Sequence, residues 1–274
     1  MALRAGDGAD TDPISSIEIS DIPGVYNAVP PFNFVFAPHW KTMKLFALES
    51  HDQFRSSPLP SLNSTTYTED FNEVKQVGKI NSQTRTAEQT FYAKFWYEFS
   101  EIGWNRVART VATQSKSGLM FTARVLALVN MALADSYTAG WDSKFHYHFW
   151  RPYTAIRSAA SDGNNETITD TNWEPSEITP PVQDYPSTHS ALGNSAAYVL
   201  AGLFGDNTSF TMTSFSALPV GSTRTFNSFS QAANENADSR VMAGIHFRFS
   251  CEAGQQLGNK IGKCVIDNQL KPLQ

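Results

Sequence analysis

Charge is scarce in this chain. Only 17% of its 274 residues are Asp, Glu, Lys or Arg, below the roughly 25% usual for a soluble domain. The balance is acidic, 21 Lys and Arg against 26 Asp and Glu, which argues against a broad nucleic-acid-binding surface. Long apolar runs are missing too. The apolar run Val125 to Ala134 lies between Arg124 and Asp135, well short of the about 20 residues that a spanning helix needs. The opening Met1-Ala-Leu-Arg-Ala-Gly-Asp-Gly lacks the apolar core of a signal peptide, and the compartment stays undetermined. Cysteine is limited to Cys251 and Cys264. On one C-terminal helix they would stand about 20 Å apart, beyond the about 7 Å that a disulfide spans, so two free thiols are expected. No Gly-rich nucleotide loop and no zinc spacing occurs. Aromatic residues, by contrast, are plentiful. With 19 Phe, 9 Tyr and 6 Trp in a 41% apolar chain, disorder is excluded, and one large domain or two small ones can form.

The chain divides by texture. Residues 1–66 carry Pro13, Pro23, Pro30, Pro31, Pro38, Pro58 and Pro60 interleaved with Tyr26, Phe32, Phe34, Phe36 and Trp40. That pattern predicts a loop-rich, ordered wrap, and Ala2-Leu-Arg-Ala resembles the end of a helix from a longer N-terminal region. Residues 67–274 read as helices. Segments from Thr68 to Gly78, from a Thr86–Gln89 capping box to about Ser100, and over 104–115 come first. A helix from Gly118 to Gly140, apolar nearly all round, belongs at the centre of a bundle. Another should carry Asp142 to Ser158 with a break near Pro152. A loop of about 25 residues from Ser161 to Tyr185 is long enough to suggest function. Helices return at 188–204, at 228–243 with a second capping box at Ser228–Gln231, and at 250–267. No segment reads as a strand, so the expected class is all-α, one helical bundle with long ordered loops.

Three segments carry chemistry. Lys144-Phe-His-Tyr-His-Phe-Trp-Arg151-Pro152 would project Lys144 and Arg151 from one helix face about 10 Å apart. Two cations on an aromatic stretch are costly to bury without a shared anion. Pro186-Ser187-Thr188-His189 opens a helix, whose free N–H groups and dipole suit an anion. Ser239-Arg240-Val-Met-Ala-Gly244-Ile-His246 offers a guanidinium for a tetrahedral oxyanion, with Gly244 as the bend that turns His246 toward the same space. Each segment alone also reads as surface charge, an ordinary N-cap or packing. His146 and His148 diverge too far on a helix to pair on a metal; His148 shares the face of Lys144 and Arg151. Asp135 and Asp142 read as capping or pairing groups.

Together, Lys-x6-Arg-Pro, Pro-Ser-x-His and Ser-Arg-x5-His in this order resemble the superfamily shared by type 2 phosphatidic acid phosphatases, bacterial class A acid phosphatases and vanadium-dependent haloperoxidases. The settings Gly140-Trp141-Asp-Ser-Lys144 and Asp184-Tyr-Pro-Ser-Thr-His189 are most similar to bacterial haloperoxidase-like proteins, and Trp141 matches an aromatic found there. The strong likeness covers about residues 140–267. It implies that Lys144, Arg151 and Arg240 neutralise the oxygens of a bound vanadate, with phosphate or sulfate able to take the same place. The Ser187 hydroxyl and the Thr188 backbone N–H would donate to it. His189 would be the acid–base group, and His246 the ligand to vanadium or, in phosphatases, the nucleophile.

Two positions depart from the pattern. Thr188 stands where Gly is usual, and its branched side chain should crowd the pocket. Ser250 stands where an Asp four residues after the ligating His would fix the ring's tautomer. The resemblance implies a haloperoxidase that uses hydrogen peroxide, a halide and a small organic acceptor, with Lys144 polarising a peroxide oxygen. A soluble acid phosphatase acting through His246 and His189, and an inactive anion-binding relative, are the alternatives. The loop Pro180-Pro-Val182-Gln-Asp-Tyr185 has no second His, and Val182 adds neither base nor aromatic wall, which favours bromide or iodide over chloride. A homodimer stays open.

Overall fold

The computed structural model describes residues 4–271; the helix end read at Ala2 to Ala5 lies partly outside them. Eight α-helices dominate: α1 (Thr65–Val77), α2 (Ala87–Phe95), α3 (Ser100–Gln114), α4 (Leu119–Tyr147), α5 (Pro152–Arg157), α6 (Thr188–Phe204), α7 (Phe229–Met242) and α8 (Arg248–Asn268). The class is all-α, as expected. The helix starts follow capping chemistry. Ser64 accepts the N–H of Tyr67, and Thr86 and Gln89 close a reciprocal box. Ser228 caps the N–H of Gln231 at 3.0 Å, but the Gln231 side chain accepts from Asn227 instead, so the second expected box is only half formed.

The division near Gly140 is corrected. α4 runs unbroken for 29 residues, because Gly140 lies where the helix meets α6, and a Cβ there would come 3.2 Å from Thr188 Oγ1. It ends at His148, which adopts φ 50°. Arg151 is extended, as the residue before a proline prefers, and Pro152 opens α5. Lys144 and Arg151 therefore sit on different helices rather than on one face. Sheet is minor, as expected of a mainly helical bundle, although two short strand pairs form that the sequence did not announce. β1 (Ile14–Ser15) pairs with β2 (Val35–Phe36), and β3 (Phe210–Thr213) pairs with β4 (Thr223–Phe226), Phe210 opposite Phe226. β3 alternates buried and open side chains, a period of two that four residues display too briefly to stand out in sequence.

α6 lies against α4, α7 and α8 at the centre. α4 is long and apolar enough to cross a membrane by length and composition alone; here it packs on α3, α6 and α8. The irregular N-terminal segment is pinned along it. The Asp135 carboxylate accepts the backbone N–H groups of Phe46, Ala47 and Leu48, and Arg55 pairs with Asp142 at 2.7 Å. Asp135 and Asp142 thus cap and pair, as read. Cys251 and Cys264 are both free thiols on α8.

Candidate anion-binding site

The last turns of α4 and α7 and the starts of α5, α6 and α8 carry the motif residues. Lys144 Nζ donates to the carbonyls of Gln183 (2.5 Å) and Asp184 (2.9 Å). Arg151 donates through Nε to Val182 O at 2.7 Å and through Nη1 to Ile245 O at 2.7 Å. The same Nη1 lies 3.0 Å from Nε2 of His246. The loop before α6, rather than a helix face, brings the two cations together. Arg240 donates to the carbonyl of Trp96 at 3.3 Å, and His189 Nε2 lies 2.7 Å from that same oxygen. A chain bend at Gly244 turns His246 in as expected. Gly244 has φ +79°, and a Cβ there would sit 2.3 Å from the carbonyl oxygen of Gly78, so neither the conformation nor the space admits another residue.

Charge in this region is unbalanced. Lys144, Arg151 and Arg240 are each at most 3% exposed, and among the described residues the one fully buried carboxylate beside them is Asp184. Burial first, then Arg151, holds the Lys144 ammonium well below its usual pKa. Burial lowers Arg240 to about 10. His246 is held far below the ordinary imidazole range by burial and then by Arg151 and Lys144, and His189 by burial and then Arg240. Burial raises Asp184 to about 6, against the opposing pull of Arg151. Each shift marks charge removed from water without enough counter-charge.

Several donors are unmatched. Among the described residues Arg240 Nε and Thr188 Oγ1 are buried without a partner. Ser187, the N-cap of α6, accepts from the N–H and the hydroxyl of Ser190, and among the described residues no acceptor takes its own hydroxyl proton. A fork, a hydroxyl, a helix N-terminus and surplus positive charge suit a tetrahedral oxyanion. The donor set therefore fits vanadate. Thr188 does not crowd this space as expected, because its side chain packs where Gly140 has none.

Asp184 received no role from the sequence, although it lies beside the Pro-Ser-x-His motif. Its Oδ1 stands 2.8 Å from Nδ1 of His246 and 3.8 Å from Nη1 of Arg151. Ser250 donates its hydroxyl to Oδ2. The Trp96 carbonyl, from a remote helix end, left no signal in the sequence. Other candidates are placed elsewhere. His148 is held by the Gln183 side chain at 3.1 Å, His146 stacks edge-on with Tyr147, and Trp141 packs on Trp40 while donating to Phe36 O.

Residues 124–274, more than half of the chain, match the VCPO second helical-bundle domain, and the chain belongs to that family. It is similar to the vanadium chloroperoxidase of Curvularia inaequalis, 25% identical over 292 aligned positions that cover 83% of this chain and 48% of the relative. The chain thus spans about half the length of that curated relative. Among solved structures, the first bacterial vanadium-dependent iodoperoxidase superposes with a TM-score of 0.84 at 30% identity, covering 98% of this chain and 66% of that one. A holo-type bacterial vanadium-dependent chloroperoxidase superposes with a TM-score of 0.73 at 14% identity, covering 96% and 64% of the two chains, and shares the fold.

Proposed function

We propose that this chain is a vanadium-dependent haloperoxidase-type enzyme that oxidises bromide or iodide with hydrogen peroxide. The observation that carries the reading is the buried surplus of cations beside His246, which an oxyanion would neutralise. Arg240 and Arg151 would hold the oxygens of vanadate, with Lys144, the Ser187 hydroxyl and the Thr188 N–H completing the cradle. His246 would bind the central atom through Nε2, once that nitrogen leaves Arg151. When bound, vanadate would supply Lewis acidity toward peroxide at constant oxidation state. Lys144 would place positive charge against the peroxide oxygen that gains electron density. His189, kept neutral by burial and Arg240, holds the Trp96 carbonyl through Nε2–H and would accept or return a proton at Nδ1. The bromide or iodide preference is supported by Val182 in a loop without a second His and by the 30% identity to a bacterial iodoperoxidase.

The alternative is a phosphatase with His246 as nucleophile, and the Asp184 carboxylate at 2.8 Å from its ring gives that reading a specific support. One purified sample in two assays separates them. Halogenation of a dione that requires peroxide, halide and added vanadate is the expected result. Phosphate release from an aryl phosphate, inhibited by vanadate and without halogenation at any halide, would overturn the proposal.

A further inference from the structure

We infer that Asp184, working with Ser250, is the positioning carboxylate that fixes the tautomer of His246 and presents its Nε2 lone pair to the bound anion. This inference rests on the reading of His246 as the ligand to vanadate. One contact on the ring sets its proton. Nδ1 lies 2.8 Å from Asp184 Oδ1, and an ionised carboxylate only accepts, so the proton belongs on Nδ1 and Nε2 keeps its lone pair. Arg151 Nη1 lies 3.0 Å from Nε2 and 3.4 Å from Nδ1, beside the ring and along neither lone pair.

The carboxylate is itself held from several sides. Its Oδ2 takes the Ser250 hydroxyl, and the backbone N–H of Phe247 also donates to it. Both donors belong to the start of α8, whose dipole favours a negative group there. The Asp184 main chain is anchored as well, its N–H to Phe149 O at 3.0 Å and its carbonyl to Lys144. Ser250 therefore does not replace a ring-binding acid; it orients an acid delivered from the opposite strand of chain. Among the described residues no donor, Nδ1 of His246 included, is aligned on Oδ1, so that oxygen is free to align with Nδ1 as the ring turns from Arg151 toward an anion.

The prediction is a transferable carboxylate. Outer partners of ligating histidines are typically worth about 10–100-fold in affinity, and Asp184→Ala should raise the vanadate dissociation constant by that factor in calorimetry. Asp184→Ala combined with Ser250→Asp should recover most of the loss, because the acid returns from position 250 on the first turn of α8. Nitrogen-15 spectra of histidine-labelled, anion-free protein should show His246 protonated on Nδ1 in the wild type, a tautomer mixture in Asp184→Ala, and the Nδ1 form again in the double variant. Sulfate, which forms no bond to the ring, should lose less affinity than vanadate. Wild-type affinity and tautomer in Asp184→Ala would overturn the inference. So would a loss that Ser250→Asp fails to recover in a protein with unchanged circular dichroism. Where Asp184→Ala does not fold, Asp184→Asn keeps the volume and an acceptor; full vanadate affinity there would overturn the need for a charge. A wild type that binds no vanadate would defeat the functional proposal, while the tautomer spectra would still decide this one.

Discussion

Arg240 is the least satisfied of the three buried cations. One nitrogen reaches the Trp96 carbonyl at 3.3 Å and Nε has no partner, whereas Lys144 already holds two carbonyls. Truncating one partner of a buried charge pair costs about 2–5 kcal/mol, so Arg240→Ala should weaken vanadate binding by at least about 30-fold at the low end of that range. Lys144→Ala should cost less, because a point charge is lost rather than a fork. Titration calorimetry of the two variants checks the order. The reverse ranking would assign the main oxygen contact to Lys144. His246→Ala should remove most vanadate affinity yet leave sulfate binding largely intact; unchanged vanadate affinity would refute the ligand assignment.

Between elements, the position of the α6 N-terminus depends on how closely α8 approaches it. Gly254, Gly258 and Gly262 recur every fourth residue along α8. Cβ atoms at the first two would stand 2.2 Å from the carbonyl oxygens of Ser187 and Ala191. These are backbone atoms of the helix that presents Ser187, Thr188 and His189, so no side chain can yield. Gly258→Ala should destabilise by about 1–3 kcal/mol, the usual cost of overpacking. Its urea midpoint should fall, and vanadate affinity should fall with it as α6 is pushed away. A midpoint within error of the wild type would show that the two helices separate freely. The same close approach explains why the stripe was passed over in sequence. Glycine every fourth residue reads as weak helix propensity until the partner helix is known.

For the whole molecule, an acidic chain of formal charge −5 encloses three buried cations, Lys144, Arg151 and Arg240, that the buried Asp184 carboxylate alone does not balance. A ligand at about 100 times its dissociation constant stabilises by about 2.7 kcal/mol, roughly 5–10 °C for a domain of this size. Sulfate should therefore raise the melting temperature, and the gain should depend on pH. His189 and His246 are held below their ordinary value in the anion-free protein. Their contribution to stability is full above about pH 6.5 and is lost as pH falls toward the folded values. A bound dianion raises both, and Lys144 with them, so binding takes up protons. The sulfate-dependent gain should be larger near about pH 6 than near about pH 8, as differential scanning calorimetry can show. An equal gain at both would mean that sulfate binds away from these rings.

Helix class, most helix positions and the residues that converge at the candidate site were legible in the sequence, because those features are local or motif-like. Ser64 and Thr86 announce helix starts, Gly244 announces a bend, and Lys144, Arg151, Ser187, Arg240 and His246 stand in an order that resembles one superfamily. The tertiary structure alone decided what periodicity cannot encode. α4 passes through Gly140 because α6 fills the missing side chain's place. Arg151 leaves the helix of Lys144 because His148 turns the chain and Pro152 restarts it. β3 and β4 form because two four-residue segments meet across a loop. Asp184 faces His246 although 62 positions separate them, and spacing in sequence says nothing of a contact closed by two packed helices. Local propensity is written residue by residue, whereas a buried charge acquires its partners only when the chain folds around it.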